Sequence, residues 1–184
     1  MAKPFVFIGL GNPGQKYAET RHNAGFWFLD RLAGKSGSVF RHQSKLQVEI
    51  TRAVMHGHEC MLAKPTTFVN NSGQAVRAVL DYFKVPASRL LIAYDELDLP
   101  PGITRLKLGG GHGGHNGLRD IFRHTGDHDF LRLRIGIGHP GDRALVTPYV
   151  LSKPRREDQL LIDQALSKAE TVMEDVLSGK LAAA

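Results

Sequence analysis

Cysteine and long apolar runs are scarce in this 184-residue chain. Its single cysteine, Cys60, has no second thiol for an intramolecular disulfide, which excludes a disulfide-stapled secreted scaffold. No stretch approaches the roughly 20 consecutive apolar residues that cross a bilayer. Gly11, Asn12 and Pro13 end the apolar run that starts at Phe5 before it reaches the length of a signal peptide. We therefore expect a cytoplasmic protein that does not enter a membrane.

Acidic residues are fewer than basic ones. The chain has 24 Lys and Arg against 18 Asp and Glu, which gives a formal net charge of +6. A basic surface attracts polyanions and contacts phosphates, but a net charge of this size is also ordinary for the solubility of a small domain. The charge alone therefore leaves two interpretations open: a nucleic-acid partner, or a surface that is charged only for solubility.

Strand-like and helix-like patterns alternate along the chain. Apolar runs or apolar-polar alternation predict strands at 6–8, 46–50, 60–63, 90–93, 103–108 and 131–137. Helical spacing predicts helices at 24–33 (capped by Asn23 and stopped by Gly34), up to Phe83 (capped by Ser72), from about Leu118, and at about 154–178. This alternation predicts one α/β domain over residues 1–184, with a mixed central β-sheet flanked by helices on both faces.

The first glycine-rich loop, at 9–14, has the G-x-G-x-x-G spacing of dinucleotide-binding loops. Pro13 restricts its turn, the residues after it lack the apolar face of a helix, and no acidic residue ends a second strand about 20 residues further on. A tight turn that presents Asn12 at the carboxyl end of the first strand is the better interpretation. Open α/β sheets bind their ligands at that edge.

Three further polar residues stand where strands end or helices begin. His22 precedes the first helix, Asp95 follows the buried strand at 90–93, and Asn70 precedes the second helix. Each also has an ordinary interpretation, respectively a structural histidine, a solvated acidic loop and a helix cap. Asparagines nevertheless suit the recognition of peptide amides, because a carboxamide both donates and accepts hydrogen bonds without adding charge.

The second glycine-rich loop has six glycines in the nine residues 109–117. Glycine permits a close approach of the backbone, and this loop opens a helix, whose N-terminus favours anions. His112 and His115 together with Asp95 offer an alternative interpretation as zinc ligands. The metal is the less favoured interpretation, because two histidines in a glycine loop lack the rigid helical spacing of known zinc motifs.

Six co-linear motifs resemble those of the bacterial-type peptidyl-tRNA hydrolase family. They are GLGNPG (9–14), TRHNAG (20–25), PTTFVNNSG (65–73), DELDLPPG (95–102), KLGGGHGGHNGL (107–118) and RLRIGIGHPGD (132–142). Six motifs in the expected order are far more specific than any one of them. The resemblance implies a hydrolase that cuts the ester between the peptide and the 3′-terminal ribose of peptidyl-tRNA, which releases free tRNA for reuse in translation.

The resemblance also implies roles for individual residues. His22 is expected to be the general base that activates water, and Asp95 is expected to orient its imidazole. The residues expected to bind substrate or shape the cleft are Asn12, Tyr17, Val69, Asn70, His115 and Asn116, and those expected to contact tRNA phosphates are Lys107 and Arg143. We expect no metal and no organic cofactor, and a monomer. The family usually has methionine where this chain has Val69, so a stiffer side chain is expected to alter the peptide preference.

Other reaction mechanisms and other classes of protein explain fewer of these sequence features than a hydrolase that uses water directly. No serine lies in a nucleophile-elbow motif, and Cys60 falls within a predicted strand, which favours direct attack by water over an acyl-enzyme. Either Asn70 or Asn116 could donate to the transition-state oxyanion. A non-catalytic RNA-binding module would explain the charge and the second glycine-rich loop, but not a pair formed by His22 and Asp95. A nucleotide-dependent oxidoreductase would explain only the first loop.

Overall fold

The computed structural model describes residues 3–180, and a seven-stranded mixed sheet forms its centre. The strands are β1 (Phe5–Gly9), β2 (Arg41–Gln43), β3 (Val48–Met55), β4 (His58–Pro65), β5 (Leu90–Glu96), β6 (Thr104–Leu108) and β7 (Leu131–Gly136). Their order across the sheet is β2-β3-β4-β1-β5-β7-β6. Strands β4, β1, β5 and β7 are parallel, and antiparallel strands complete both sides of the sheet.

Helices cover both faces of this sheet. They are α1 (Ala24–Ser36), α2 (Ser72–Phe83), α3 (Asn116–Thr125), α4 (Val146–Val150) and α5 (Arg156–Leu177). Side chains alternate along β1, so that Phe7 packs in the core cluster with α1 and α5, whereas Val6 and Ile8 pack in the cluster with α2 and α3. The predicted α/β fold with a mixed sheet and helices on both faces is confirmed. Within residues 3–180, no helix combines the length and apolarity that crossing a membrane requires.

The carboxyl ends of the parallel strands meet at one edge of the sheet. Strand β1 lies between β4 and β5, so the chain passes to one side of β1 and later crosses back to the other. Open α/β sheets bind ligands in the crevice outside such a reversal. Asn12 follows β1, Phe68 follows β4 and Asp95 lies at the end of β5, which places all three at this edge.

Two glycines let helix α1 approach that edge closely. A Cβ atom on Gly9 would clash with the carbonyl oxygen of Gly25, and a Cβ atom on Gly25 would clash with the carbonyl oxygen of Ala93 and lie 2.6 Å from the nitrogen of Leu10. The first turn of α1 therefore lies directly against the ends of β1 and β5. His22, just before α1, reaches the end of β5 for this reason.

The predicted start of α1 at Ala24 is confirmed, but its predicted end at Gly34 was wrong. The helix continues through Gly34 to Ser36 and stops at Gly37, whose φ of 69° is the left-handed conformation that glycine adopts easily. Asn23 occupies the cap position, but its side chain makes no capping hydrogen bond. That side chain bonds the backbone of Asn12 instead.

The starts of α2 and α3 also differ from the predictions. Ser72 is the first residue of α2 rather than its cap, and its hydroxyl donates to the carbonyl oxygen of Val69 at 2.6 Å. Helix α3 begins at Asn116, earlier than Leu118, because the imidazole of His115 caps it by accepting the Leu118 N–H. Strand β2 and helix α4 were not predicted, since both are too short for a clear periodicity.

Candidate active site

A cleft of about 290 Å³ opens at the carboxyl edge of the sheet. One part of its lining is polar and is formed by Asn12, His22, Asn70, Asp95, His115 and Asn116. Another part is apolar, formed by Phe68, Val69, Leu97, Val146, Val150 and Leu151. The cleft thus brings together seven of the ten predicted site residues, from five separate segments of the chain. An arrangement of this kind suits a ligand that has both amide and apolar groups.

His22 and Asp95 form the central pair of the cleft. The Nδ1 atom of His22 lies 2.8 Å from Oδ2 of Asp95, and Asp95 is only 3% exposed. Burial of the ring alone would lower the pKa of His22, but the attraction and the hydrogen bond of the Asp95 carboxylate raise that pKa above its ordinary value. With its Nδ1–H donated to Asp95, the ring keeps Nε2 as a proton acceptor.

His115 is a second imidazole on the same carboxylate. Its Nε2 lies 2.9 Å from Oδ1 of Asp95, and its Nδ1 accepts the N–H of Leu118 at 3.3 Å. A ring nitrogen that accepts an N–H carries no proton, so Nε2 is the protonated nitrogen and donates to Asp95. His115 therefore donates to Asp95 through Nε2. Burial would raise the pKa of Asp95, but the two imidazoles hold it well below its usual range.

The zinc site considered for His112, His115 and Asp95 is not assembled. The Nδ1 atom of His112 accepts the N–H of Gly114 at 3.0 Å, within its own loop. Among residues 3–180, the one group with the donor atoms for a metal is His22, Asp95 and His115, whose ligand atoms lie within 4.8 Å of one another. A metal there would have to replace both N–H donors to Asp95. It would also move the His115 proton to Nδ1, opposite the Leu118 N–H, so hydrogen bonds fit this group better.

Asn12 presents a hydrogen-bond donor to the cleft. Its Oδ1 accepts the N–H of Val69 at 2.7 Å, so the remaining amide group of this cleft-lining residue is its NH₂. Asn70 and Asn116 are exposed at the cleft, where their amides can meet a ligand. Val69 is only 2% exposed and packs in the core cluster with α2 and α3, so it forms part of the cleft floor.

Three predicted site residues lie outside the lining of the cleft. The ring of Tyr17 packs edge-on against Phe68, with 6.0 Å between ring centroids, so Tyr17 supports a lining residue. Lys107 is exposed on β6, and Arg143 is exposed in the 3₁₀ turn Arg143–Leu145. Exposure leaves both free to contact a large anionic partner.

Comparison with known proteins identifies the family. A sequence model described as peptidyl-tRNA hydrolase matches residues 6–184. The chain belongs to the peptidyl-tRNA hydrolase family. The predicted family is thereby confirmed, and with it the expectation of an enzyme of the hydrolase class.

Curated and solved members of the peptidyl-tRNA hydrolase family match nearly the whole chain. A peptidyl-tRNA hydrolase of Neisseria meningitidis serogroup A is 51% identical over 175 residues, which cover 95% of this chain and 91% of the relative. One from Alcanivorax borkumensis is 52% identical over 184 residues, which cover 98% and 94%. The crystal structure of peptidyl-tRNA hydrolase from Acinetobacter baumannii aligns with a TM-score of 0.94 at 45% identity and covers 98% of this chain and 92% of that one.

Within this member of the peptidyl-tRNA hydrolase family, the sequence did not identify two buried arginines that hold parts of the cleft. Arg132 donates to the carbonyl oxygens of Gly110 and Gly111, at 2.6 and 2.5 Å, and so ties down the second glycine-rich loop. Arg21 donates to the carbonyl oxygen of Tyr149 at 3.0 Å and stacks on its ring, which connects the turn of His22 to α4. Arginine in these positions resembles a solvent-facing residue, so the sequence held no signal for either.

Proposed function

We propose that this chain hydrolyses the ester between the peptide and the 3′-terminal ribose of peptidyl-tRNA by direct attack of water. The observation that carries the proposal is the cleft-lining His22, whose Nδ1 lies 2.8 Å from the buried carboxylate of Asp95. We further propose that the enzyme acts in the cytoplasm as a monomer, without a metal or an organic cofactor.

The proposed reaction has two steps. Nε2 of His22 takes a proton from water while the water oxygen attacks the ester carbonyl carbon, and Asp95 stabilises the imidazolium that forms. The tetrahedral intermediate then breaks its bond to the ribose oxygen, which takes the proton from His22. The products are a peptide with a free carboxyl group and a tRNA with a free 3′-terminal hydroxyl.

Negative charge develops on the former carbonyl oxygen in the transition state and needs a hydrogen-bond donor. The NH₂ group of Asn12 is proposed to donate to this oxygen. Its Oδ1 already accepts the N–H of Val69, so the NH₂ group is the part of the carboxamide left for a ligand. Asn70 and Asn116 are exposed beside it and are proposed to bind the peptide and the ester region. His115 is proposed to have a supporting role, since it donates to Oδ1 of Asp95 while His22 bonds Oδ2.

The apolar lining is proposed to receive a side chain of the peptide. Phe68 is 54% exposed and Leu151 is 39% exposed, and both line the cleft, so each offers apolar surface to a ligand there. Tyr17 supports Phe68 from behind. Val69 fits the cleft floor as a short, stiff residue, and we propose that it affects the peptide preference at this point.

Incubation of the purified chain with peptidyl-tRNA, without added nucleotide, tests the proposed function. Free tRNA and free peptide are expected to accumulate catalytically. Stable tRNA binding without release of the peptide would instead indicate a non-catalytic RNA-binding module.

Metal independence is tested in the same assay. Exhaustive chelation is expected to leave the rate unchanged, because the hydrogen bonds of His22 and His115 to Asp95 need no ion. Loss of activity that one divalent metal restores would contradict this part of the proposal.

A further inference from the structure

Asn23 is a buried polar residue that the proposed reaction does not use. It is 1% exposed, and both ends of its carboxamide bond the backbone of one residue. Its Oδ1 accepts the N–H of Asn12 at 2.8 Å, and its Nδ2 donates to the carbonyl oxygen of Asn12 at 2.9 Å. We propose that Asn23 is a positioning residue that acts on the reaction through Asn12, an inference that rests on the proposed hydrolysis.

The backbone of Asn12 needs such a partner. The N–H of Leu10 donates to the carbonyl oxygen of Ala93 at 3.0 Å, and β1 itself ends at Gly9. Asn12 therefore lies beyond the strand pairing and is only 6% exposed, where an unpaired N–H or C=O would be costly. Asn23 satisfies both groups with one rigid side chain, much as a neighbouring strand would.

Gly11 makes room for this arrangement. A Cβ atom at position 11 would lie 3.0 Å from Cγ of Asn23 and 2.9 Å from the ring of Phe26. Real Cβ atoms hardly ever approach other atoms so closely, so a larger residue would displace the carboxamide of Asn23. The glycine of the first loop thus serves the contact between Asn23 and Asn12.

The contact extends from Asn12 to the next wall of the cleft. Oδ1 of Asn12 accepts the N–H of Val69, which belongs to the 3₁₀ turn Val69–Asn71. Asn23 precedes α1, Asn12 follows β1, and this turn precedes α2, so two carboxamides join three segments. Removal of Asn23 frees the Asn12 backbone, and the NH₂ group of Asn12 then loses its fixed direction. The preorganisation of that donor is what Asn23 contributes.

A double-mutant cycle tests the proposal. The variants are Asn23→Ala, Asn12→Ala and both together, with kcat/KM measured on one peptidyl-tRNA. Asn23→Ala is expected to lower kcat/KM on the order of 10–100-fold, the effect of a misplacement of about 1 Å. In the Asn12→Ala background the same change is expected to cost less than about twofold, because residues that act as a unit are not additive. The pH profile of Asn23→Ala is expected to keep the wild-type shape.

Two further variants complete the design. Ser36→Ala is the control, since Ser36 lies at the other end of α1 and bonds the carbonyl oxygen of Leu32 at 2.9 Å; its kcat/KM is expected to stay at the wild-type value. If Asn23→Ala does not fold, Asn23→Asp takes its place in the cycle. The aspartate keeps the size and the acceptor but loses the donor to the Asn12 carbonyl.

Amide exchange separates failure of this inference from failure of the proposed function. The backbone N–H of Asn12 is expected to exchange slowly in the wild type and quickly in Asn23→Ala, whether or not the chain hydrolyses peptidyl-tRNA. Equal exchange in both proteins would overturn the inference, as would reductions of kcat/KM that simply multiply in the double mutant. An inactive wild type with the expected exchange pattern would overturn the proposed function alone.

Discussion

At the residue scale, the imidazoles of His22 and His115 both bond Asp95 but have different proposed roles. The difference lies in the group that meets the ring nitrogen not bonded to Asp95. Nδ1 of His115 accepts the N–H of Leu118, which leaves Nε2 of His115 to donate to Asp95. Nε2 of His22 is left as an acceptor in a cleft-lining residue. The same carboxylate thus supports one imidazole proposed to take a proton and another that holds the carboxylate in place.

Asp95→Asn tests this arrangement. An amide offers only one oxygen, so its NH₂ group would face the N–H of one of the two histidines. We expect kcat to fall by about 10–10³-fold, less than on removal of His22, because an amide keeps part of the positioning. Without the carboxylate that raises the pKa of His22, the rise of kcat/KM with pH is expected to move to lower pH.

Asp98→Asn is the matched control for that change. Asp98 is an exposed acid three positions further along the chain, just beyond the end of β5, and its replacement is expected to leave both kcat and the pH profile unchanged. An Asp95→Asn enzyme with the wild-type profile would contradict a role for Asp95 in setting the basicity of His22.

At the element scale, the site depends on how closely α1 meets β1 and β5. Gly25→Ala would place a Cβ atom 2.6 Å from the nitrogen of Leu10. We expect this overpacking to lower the free energy of unfolding by about 1–3 kcal/mol and to shift the turn that carries His22 away from Asp95. Thermal unfolding and kcat/KM measure the two effects, and both are expected to fall.

Gly34→Ala, in the same helix, is the control. Apart from its chain neighbours and the helix's own backbone, no atom of residues 3–180 lies within 4 Å of a Cβ atom at Gly34, and the position is inside α1. Alanine there is expected to stabilise the protein by about 0.5–1 kcal/mol with unchanged activity. If Gly25→Ala behaves like Gly34→Ala, close packing of α1 does not hold the site together.

The sequence predicts the central elements better than their ends. Strands such as β5 are buried on both faces and appear as continuous apolar runs, which are easy to recognise. The role of Asn23 was missed because asparagine before a helix is usually a cap, and its partner Asn12 is 11 positions away. Arg132 was missed for a similar reason, since its partners Gly110 and Gly111 lie in a distant loop. Long-range polar contacts leave no periodic signal.

The candidate site was predictable to the extent that it lies in sequence motifs. The resemblance placed His22 and Asp95 in one site, and the structure places their side chains in contact. No pattern in the sequence indicated that His115 bonds the other oxygen of Asp95. The cap that His115 forms on α3 depends on loop geometry, which a run of glycines does not specify.

At the scale of the whole molecule, the net charge of +6 matters for a polyanionic substrate. Lys107 and Arg143 are exposed and are proposed to contact tRNA phosphates. Changing either one to glutamine is expected to weaken tRNA binding and to reduce the salt dependence of log K by about one unit for each phosphate that is no longer neutralised. Binding titrations at several salt concentrations measure that slope.

Lys45→Gln is the control for the removal of charge alone. Lys45 is exposed near β2, at the opposite side of the sheet from β6. Its change is expected to leave the slope nearly unchanged. An unchanged slope after neutralisation of both Lys107 and Arg143 would contradict the proposed path of the tRNA.

The most direct test of the central claim is the pH dependence of turnover in the wild type and in His22→Ala. In the wild type, kcat/KM is expected to rise with pH through a pKa above about 6.5, because only neutral imidazole accepts a proton and Asp95 raises its pKa. In His22→Ala, kcat is expected to fall by about 10²–10⁴-fold with little change in KM, and the rise with pH is expected to disappear. Near-normal turnover with the wild-type pH profile would contradict His22 as the general base.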